Sequence, residues 1–474
     1  SAEDAARRAA VLAMHPRLAK EIGDAANVRT RLSAALLAAA GRSDPAEALP
    51  GEPADWTAYR ELADRRIGHV AAVSVGREPI AVDFPPLWSG EAIRKKLRPR
   101  QLLLSFHWNA AGLLAALESN ERIATWQVRQ PGAIARDIAS LAKELCLFDP
   151  VAPVGSDKMV GSNWRLPAER IERSLFEQSR VALAEGIDEL VIVPDGLLWY
   201  LPFELLPVGS GREAEEDRRP LMDCCRIRYA PTRSLAVMPA ERGRPDGIVG
   251  IVAGRLHRAE PPTAGVDAVA RLSVSIPSLL PIGGATSAAR AAGTPAAAAS
   301  LVDSLLVLED LGGDAAIAAR PLIASGGARG GTTFGAWLEP PPKRPKMVVL
   351  PGFQSAVASG LAKPPARPGD DLFIATTDLL AAGARTVLIS RWRVGGRTTI
   401  DLVEEFLRDV AAGHPPSESW RRAVEVVRRE PPDPSCEPRL KQVGDAFLTD
   451  ASHPFFWAGP MLVECGGDDT LEAP

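Results

Sequence analysis

Five short apolar runs constrain this chain most: Leu190–Val193, Ile248–Val252, Leu305–Leu308, Met347–Leu350 and Thr386–Ser390. Each has four or five residues with little polar alternation. A run without alternation has no face to give to water, so it reads as a strand buried on both sides, the pattern of a parallel sheet. Segments with helical periodicity, Asp371–Ala382 and Thr398–Ala412, flank the later runs. The chain is therefore expected to be an α/β protein with a mainly parallel sheet flanked by helices.

The first part of the chain is patterned differently. Apolar residues at helical spacing, Ala9-Val11-Leu12 and Leu32-Ala35-Leu36-Leu37, lie either side of a Pro/Gly/Asp-rich stretch from Gly41 to Asp55. Strand-like runs follow at His69–Val75, Ile80–Val82 and Gln101–Phe106, the last continuing into a helical pattern through Ala110–Leu117. Further helices are expected over Gly132–Leu145 and Pro167–Ala184, the second with a proline in its first turn. Loops are expected at Gly209–Arg219, Arg255–Pro262, Ala324–Thr333 and Glu339–Lys346. This divides the chain into an amino-terminal helical region, 1–80, and an α/β domain, 81–474, with room for a subdivision near 240.

Charge and composition exclude several classes. With 55 Lys and Arg against 59 Asp and Glu, the net charge is −4, and nothing in the balance favours nucleic acid. Apolar segments are interrupted before the eighteen or so residues that a membrane span needs. The mixed-charge start is neither a secretory signal nor an anchor, so a cytoplasmic protein is expected. The five cysteines are an odd number without a C-x-x-C pair, which argues against a disulfide framework and a zinc site. The six histidines have no metal-ligand spacing, and no cofactor or metal is expected. The excess of Arg over Lys, with abundant Ala and Pro, fits a GC-rich genome.

Four ordered motifs carry a resemblance. The run LVIVPDGLLWYLPFELLP, Leu190 to Pro207, is a buried strand ending in a Pro-Asp-Gly reversal; CRIRYAPTRS, Cys225 to Ser234, follows it. DDLFIATTDLLAAGARTVLISRWRV, Asp370 to Val394, joins a helix through an "AAGA" turn to a strand ending in tryptophan, and HPFFWAGPMLV, His453 to Val463, closes the series. Together they resemble CHAT domains, members of the caspase and separase group of cysteine peptidases. The resemblance covers roughly residues 85 to 465 and implies a caspase-like fold.

In that family a histidine of an "H-G" pair and a cysteine of an "S-A-C-x-T" turn form the peptidase dyad: the thiolate attacks the carbonyl and the imidazole carries the proton. By the resemblance, MVVLPGFQSA, Met347 to Ala356, places Phe353 at the cysteine position, and LLVLEDLG, Leu305 to Gly312, places Leu311 before Gly312 at the histidine position. Neither side chain can do the chemistry. The resemblance therefore implies a pseudopeptidase, with Gly312, Gly352, Gln354, Ser355 and Trp392 as groove residues. It would act as a regulatory or scaffolding subunit on a protein partner, an active peptidase or its substrate. A role in bacterial defence or cell death is implied by family association alone. The competing reading is an active peptidase with a displaced nucleophile or one completed by a partner subunit. A third is a purely structural subunit.

Other candidates are weaker. Ser355 stands in a strand-turn-helix context but lacks the G-x-S-x-G pattern. His107 reads as a boundary histidine facing an early helix, and His453 as structural. The run Gly326–Thr332 lacks the Walker lysine and reads as a loop. Trp199, Trp337, Trp392 and Trp457 lie near strand ends, where core packing and a peptide-binding rim are both open readings.

Overall fold

In the computed structural model, residues 88–466 are described except 148, 150–151, 180–185, 209–217, 239–246, 285–301, 313–344, 358–360, 362–367, 382 and 444–447; before 88, scattered positions between 13 and 32 and residues 58 and 61 are described, all helical. The strands expected at His69–Val75 and Ile80–Val82 lie outside the described residues, as do most of the loops after 208, 323 and 338 and the boundary near 240.

Eleven strands form one sheet. They are β1 (Gln101–Asn109), β2 (Gly112–Glu118), β3 (Ile123–Val128), β4 (Glu189–Val193), β5 (Arg226–Tyr229), β6 (Val249–Ala253), β7 (Leu279–Gly284), β8 (Ser304–Leu308), β9 (Met347–Leu350), β10 (Thr386–Ser390) and β11 (Pro460–Glu464). In space they run β7-β6-β8-β9-β10-β11-β5-β4-β1-β2-β3. Only the pairs β10/β11, β1/β2 and β2/β3 are antiparallel. The five apolar runs all form strands, and every residue of the runs is buried, as expected of strands with no water-facing side.

Six helices matter here: α1 (Pro131–Glu144), α2 (Arg165–Phe176), α3 (Ala264–Ser275), α4 (Asp370–Ala381), α5 (Gly396–Ala411) and α6 (Pro416–Val427). On α5, Leu402, Val403, Phe406 and Leu407 recur at helical spacing and are buried, and α6 buries Trp420, Ala423, Val424 and Val427 the same way. Phe406 meets Trp420 edge to face, with ring centroids 6.1 Å apart, which fixes the two helices together.

One expectation fails. The helical pattern through Ala110–Leu117 is strand β2, paired antiparallel to β1 and β3. The turn decides it. Asn109 Oδ1 accepts the Ala111 backbone N–H at 2.8 Å, and Gly112 holds φ +125°, so the chain reverses before a helix can start. His107 accordingly lies within β1, exposed, with Nδ1 3.5 Å from Asp195 Oδ2, rather than facing a helix.

Candidate functional site

Strands β6 and β7 lie to one side of the point where β8 and β9 depart to the other, a reversal of order that opens a crevice at the carboxyl ends of β6 and β8 in α/β sheets. Three segments leave the sheet there or beside it: Gly254–Glu260 after β6, Glu309–Gly312 after β8 and Pro351–Ser355 after β9.

The segments after β8 and β9 meet. Leu311 N–H donates to Gly352 O at 3.0 Å, and Leu311 and Phe353 form an isolated parallel bridge, so the ladder makes one further step beyond the strands. A Cβ on Gly352 would stand 1.9 Å from Glu309 O, so only glycine lets the two backbones approach this closely. Leu311 and Phe353 are 1% and 0% exposed. The two positions that the resemblance singled out are thus adjacent, and both side chains are in the core.

The expected groove residues divide. Gly312 and Gln354 are half-buried, whereas Gly352, Ser355 and Trp392 are buried. Ser355 Oγ donates to Arg391 O at 2.5 Å and accepts the Val357 backbone N–H at 3.3 Å, so its hydroxyl serves the turn. Trp392 packs in the main core, and its carbonyl accepts from Ser390 Oγ. Trp199 and Trp457 are buried as well, while Trp337 lies outside the described residues.

Charged groups missed by motif reading surround this centre. Arg391 is fully buried: Nε donates to Trp199 O at 3.3 Å, Nη1 donates to Ala458 O at 3.3 Å, and Nη2 lies 3.5 Å from Glu204 Oε2. Tyr229 donates to the same Glu204 oxygen at 2.8 Å, and burial pushes its hydroxyl well above the usual phenol range. Asp371, in the first turn of α4, accepts Ala356 N–H at 2.6 Å and Tyr200 O–H at 3.1 Å, tying the turn after β9 to the Pro-Asp-Gly segment. The signal for these contacts was the spacing of the motifs themselves, since Tyr200, Tyr229, Asp371 and Arg391 all fall inside them.

At the start of α5, Gly395 and Gly396 hold φ +74° and +77°. Glu260 Oε1 accepts Gly396 N–H at 2.6 Å, and Glu437 Oε1 accepts Thr398 N–H at 2.7 Å and Thr398 Oγ1–H at 2.6 Å, so two carboxylates cap this helix. Burial pushes the Glu437 carboxyl up to about 8 despite those hydrogen bonds, with Asp401 and Glu260 adding repulsion. His257 is buried, and its Nδ1 accepts Ala259 N–H at 3.2 Å.

The cysteines lie elsewhere in the fold or are protonated. Burial pushes Cys225 up to about 12 and Cys465 up to about 11, while exposed Cys436 sits on Asp433 Oδ2 at 3.4 Å. His453 is buried, its Nδ1 accepts Phe455 N–H at 3.2 Å, and burial brings its pKa down to about 4, in keeping with a structural place. Among the described residues no group of three or more His, Cys, Asp or Glu is placed to hold a metal ion.

Residues 336–464 match the family model of the CHAT domain. The matched stretch holds β9 with Phe353, α4, β10 and β11; Leu311 lies before it. Two crystal structures of the Saccharomyces cerevisiae separase–securin complex are similar to this chain. One has a TM-score of 0.42 at 9% identity and the other 0.41 at 10%, each covering 87% of this chain. The chain spans about a third of the length of those matched chains, 34% in both. No curated protein sequence matches it. The carboxyl-terminal part thus carries the sequence pattern of a CHAT domain, within a mixed α/β fold built on one large, mainly parallel sheet.

Proposed function

We propose that the chain is a catalytically inactive CHAT-like pseudopeptidase that works by binding, as a regulatory or scaffolding subunit for a protein partner that is itself an active peptidase or its substrate. One observation carries this reading: the backbone brings Leu311 and Phe353 side by side after β8 and β9, and both positions hold buried hydrocarbon. A phenyl ring has no nucleophilic atom, and loss of the nucleophile costs about 10⁶ in turnover in a comparable peptidase. Filling both positions with apolar side chains leaves no unpaired polar group behind. The competing reading, an active peptidase with a displaced nucleophile or a site completed by a partner, needs a thiol or hydroxyl free to attack. Ser355 donates to a backbone carbonyl and Cys225 is held protonated by burial, which supports the inactive reading. No described helix is long and apolar enough to cross a membrane, and a cytoplasmic setting belongs to the same proposal.

The test is to incubate the purified chain with peptide libraries and cysteine-directed covalent probes, and to capture partners from the native host. No specific turnover is expected. Turnover abolished by a single substitution would overturn the reading and favour the active peptidase.

A further inference from the structure

The large sheet ends on one side at β3, and no described residue pairs with the outer edge of that strand. In the turn joining β2 to β3, Ser119 N–H donates to Arg122 O at 2.9 Å. From that bonded pair the antiparallel alternation runs through Leu117/Ala124, Ala115/Trp126 and Leu113/Val128, so Ala124, Trp126 and Val128 bond their backbones to β2. Ile123, Thr125 and Gln127 then direct both N–H and C=O away from the sheet. Their side chains are exposed as well, Ile123 by 46%. The strand is held firmly from its other face, where Trp126 and Val128 are buried and Trp126 Nε1 donates to Leu175 O of α2 at 2.7 Å.

Sheet edges are ordinarily blunted by proline, lysine, an inward charge or a bulge. The far edge of this sheet has two of these devices: β7 carries Pro281, which has no N–H, and its register shifts between Pro281 and Gly283. Strand β3 has none of them. Ile123-Ala-Thr-Trp-Gln-Val128 is uncharged, contains no proline or glycine, and pairs with β2 in unbroken register. Its charges stand just outside, where Glu121 and Arg129 are exposed and form no ion pair with a described residue.

This edge is complementary to itself. A two-fold axis at Thr125 sets Thr125 against Thr125 and Ile123 against Gln127 of the other copy, so every outward N–H and C=O gains a partner. An axis at Ile123 would run the strand into the β2–β3 turn, and one at Gln127 would set Ile123 against Pro131, the first residue of α1. The Thr125 register also brings Glu121 of each copy level with Arg129 of the other. Opposite charges then meet at both ends, with a pair of β-branched threonines at the centre.

We propose that the chain self-associates through β3, two copies pairing antiparallel about Thr125 so that one sheet runs through both. This surface is separate from Leu311 and Phe353, and the proposal stands whether or not that site is inactive. Sedimentation velocity of the full chain over about 1–100 μM should show monomer giving way to dimer as concentration rises. Thr125→Pro removes the central outward N–H without costing a bond to β2, and should weaken the dimer about tenfold or more while leaving the circular dichroism spectrum unchanged. Glu121→Arg sets like charges together at both ends and should weaken it about fivefold or more at low salt, whereas E121R/R129E exchanges the pair and should restore the parent constant. The charge exchange alters only exposed side chains, so it carries the test even if Thr125→Pro fails to fold. A chain that stays monomeric throughout that range would overturn the proposal. So would a dimer that a folded Thr125→Pro leaves intact, or a double exchange no tighter than Glu121→Arg alone.

Discussion

Truncating Phe353 to alanine tests whether its position has become part of the core. The ring is 0% exposed, and a buried phenylalanine removes about 150 Å² or more from water. At roughly 25 cal/mol per Å² this is about 4 kcal/mol, within the range of about 3–5 kcal/mol found when Phe is truncated to Ala in cores. At about 2 °C per kcal/mol, the low end of the scale for large domains, Phe353→Ala should lower the melting midpoint by about 6–10 °C. Phe353→Leu keeps most of the volume and should lose about 1 kcal/mol, or about 2 °C. Thermal melts followed by circular dichroism and by dye binding measure both. If Phe353→Ala melts within about 2 °C of the parent, the ring does not fill the recess, and the argument that the site was refitted for packing collapses.

Three further outcomes are expected. Phe353→Cys should resist iodoacetamide at pH 7 in the folded protein, because burial would hold the new thiol protonated as it does Cys225, which stands at about 12; modification as fast as that of exposed Cys436 would refute this. Arg391→Met strands the Glu204 carboxylate in the core and should cost about 3–5 kcal/mol in urea unfolding, while adding Glu204→Gln should recover part of it; additive losses would show that the pair is not coupled. Glu437 is an acid whose folded pKa, about 8, lies above its unfolded value, so the folded state holds the proton more tightly. Its stabilising contribution is full below the ordinary glutamate range and declines as pH rises through about 8, by an amount on the order of 3–5 kcal/mol. Glu437→Gln cannot ionise, so its melting midpoint should exceed the parent's at pH 9 and be nearly equal at pH 5; parallel pH profiles would refute the assignment.

The sheet was legible because strands buried on both faces leave an uninterrupted apolar run, as in Met347–Leu350 and Thr386–Ser390. Helix α6 was readable too, from Pro416 at its start and the Trp420, Ala423, Val424, Val427 stripe, although the motifs drew attention elsewhere. Strand β2 was misread since Leu113-Leu114-Ala115-Ala116-Leu117 fits either period, and a two-residue turn at Ala110–Ala111 overrides it. For the candidate site, the resemblance singled out Leu311 and Phe353, which the backbone brings side by side, but not Arg393, which was read only as part of the strand motif. It packs over Gly312, a contact across 81 positions that no local window contains. Glu437 was invisible for the same reason: a lone acid in a Pro-rich loop says nothing about the helix it caps.

The bridge between Leu311 and Phe353 has an evolutionary consequence. On the proposed reading the backbone still sets the two positions one strand spacing apart, about 4.8 Å, so the ancestral geometry outlives the chemistry it served. Each side chain alone now blocks the way back. A cysteine at 353 would open a void beside Leu311, and a histidine at 311 would bury a polar imidazole against a phenyl ring. On the proposed reading either single reversion lowers stability before activity can reward it, so the loss works as a ratchet.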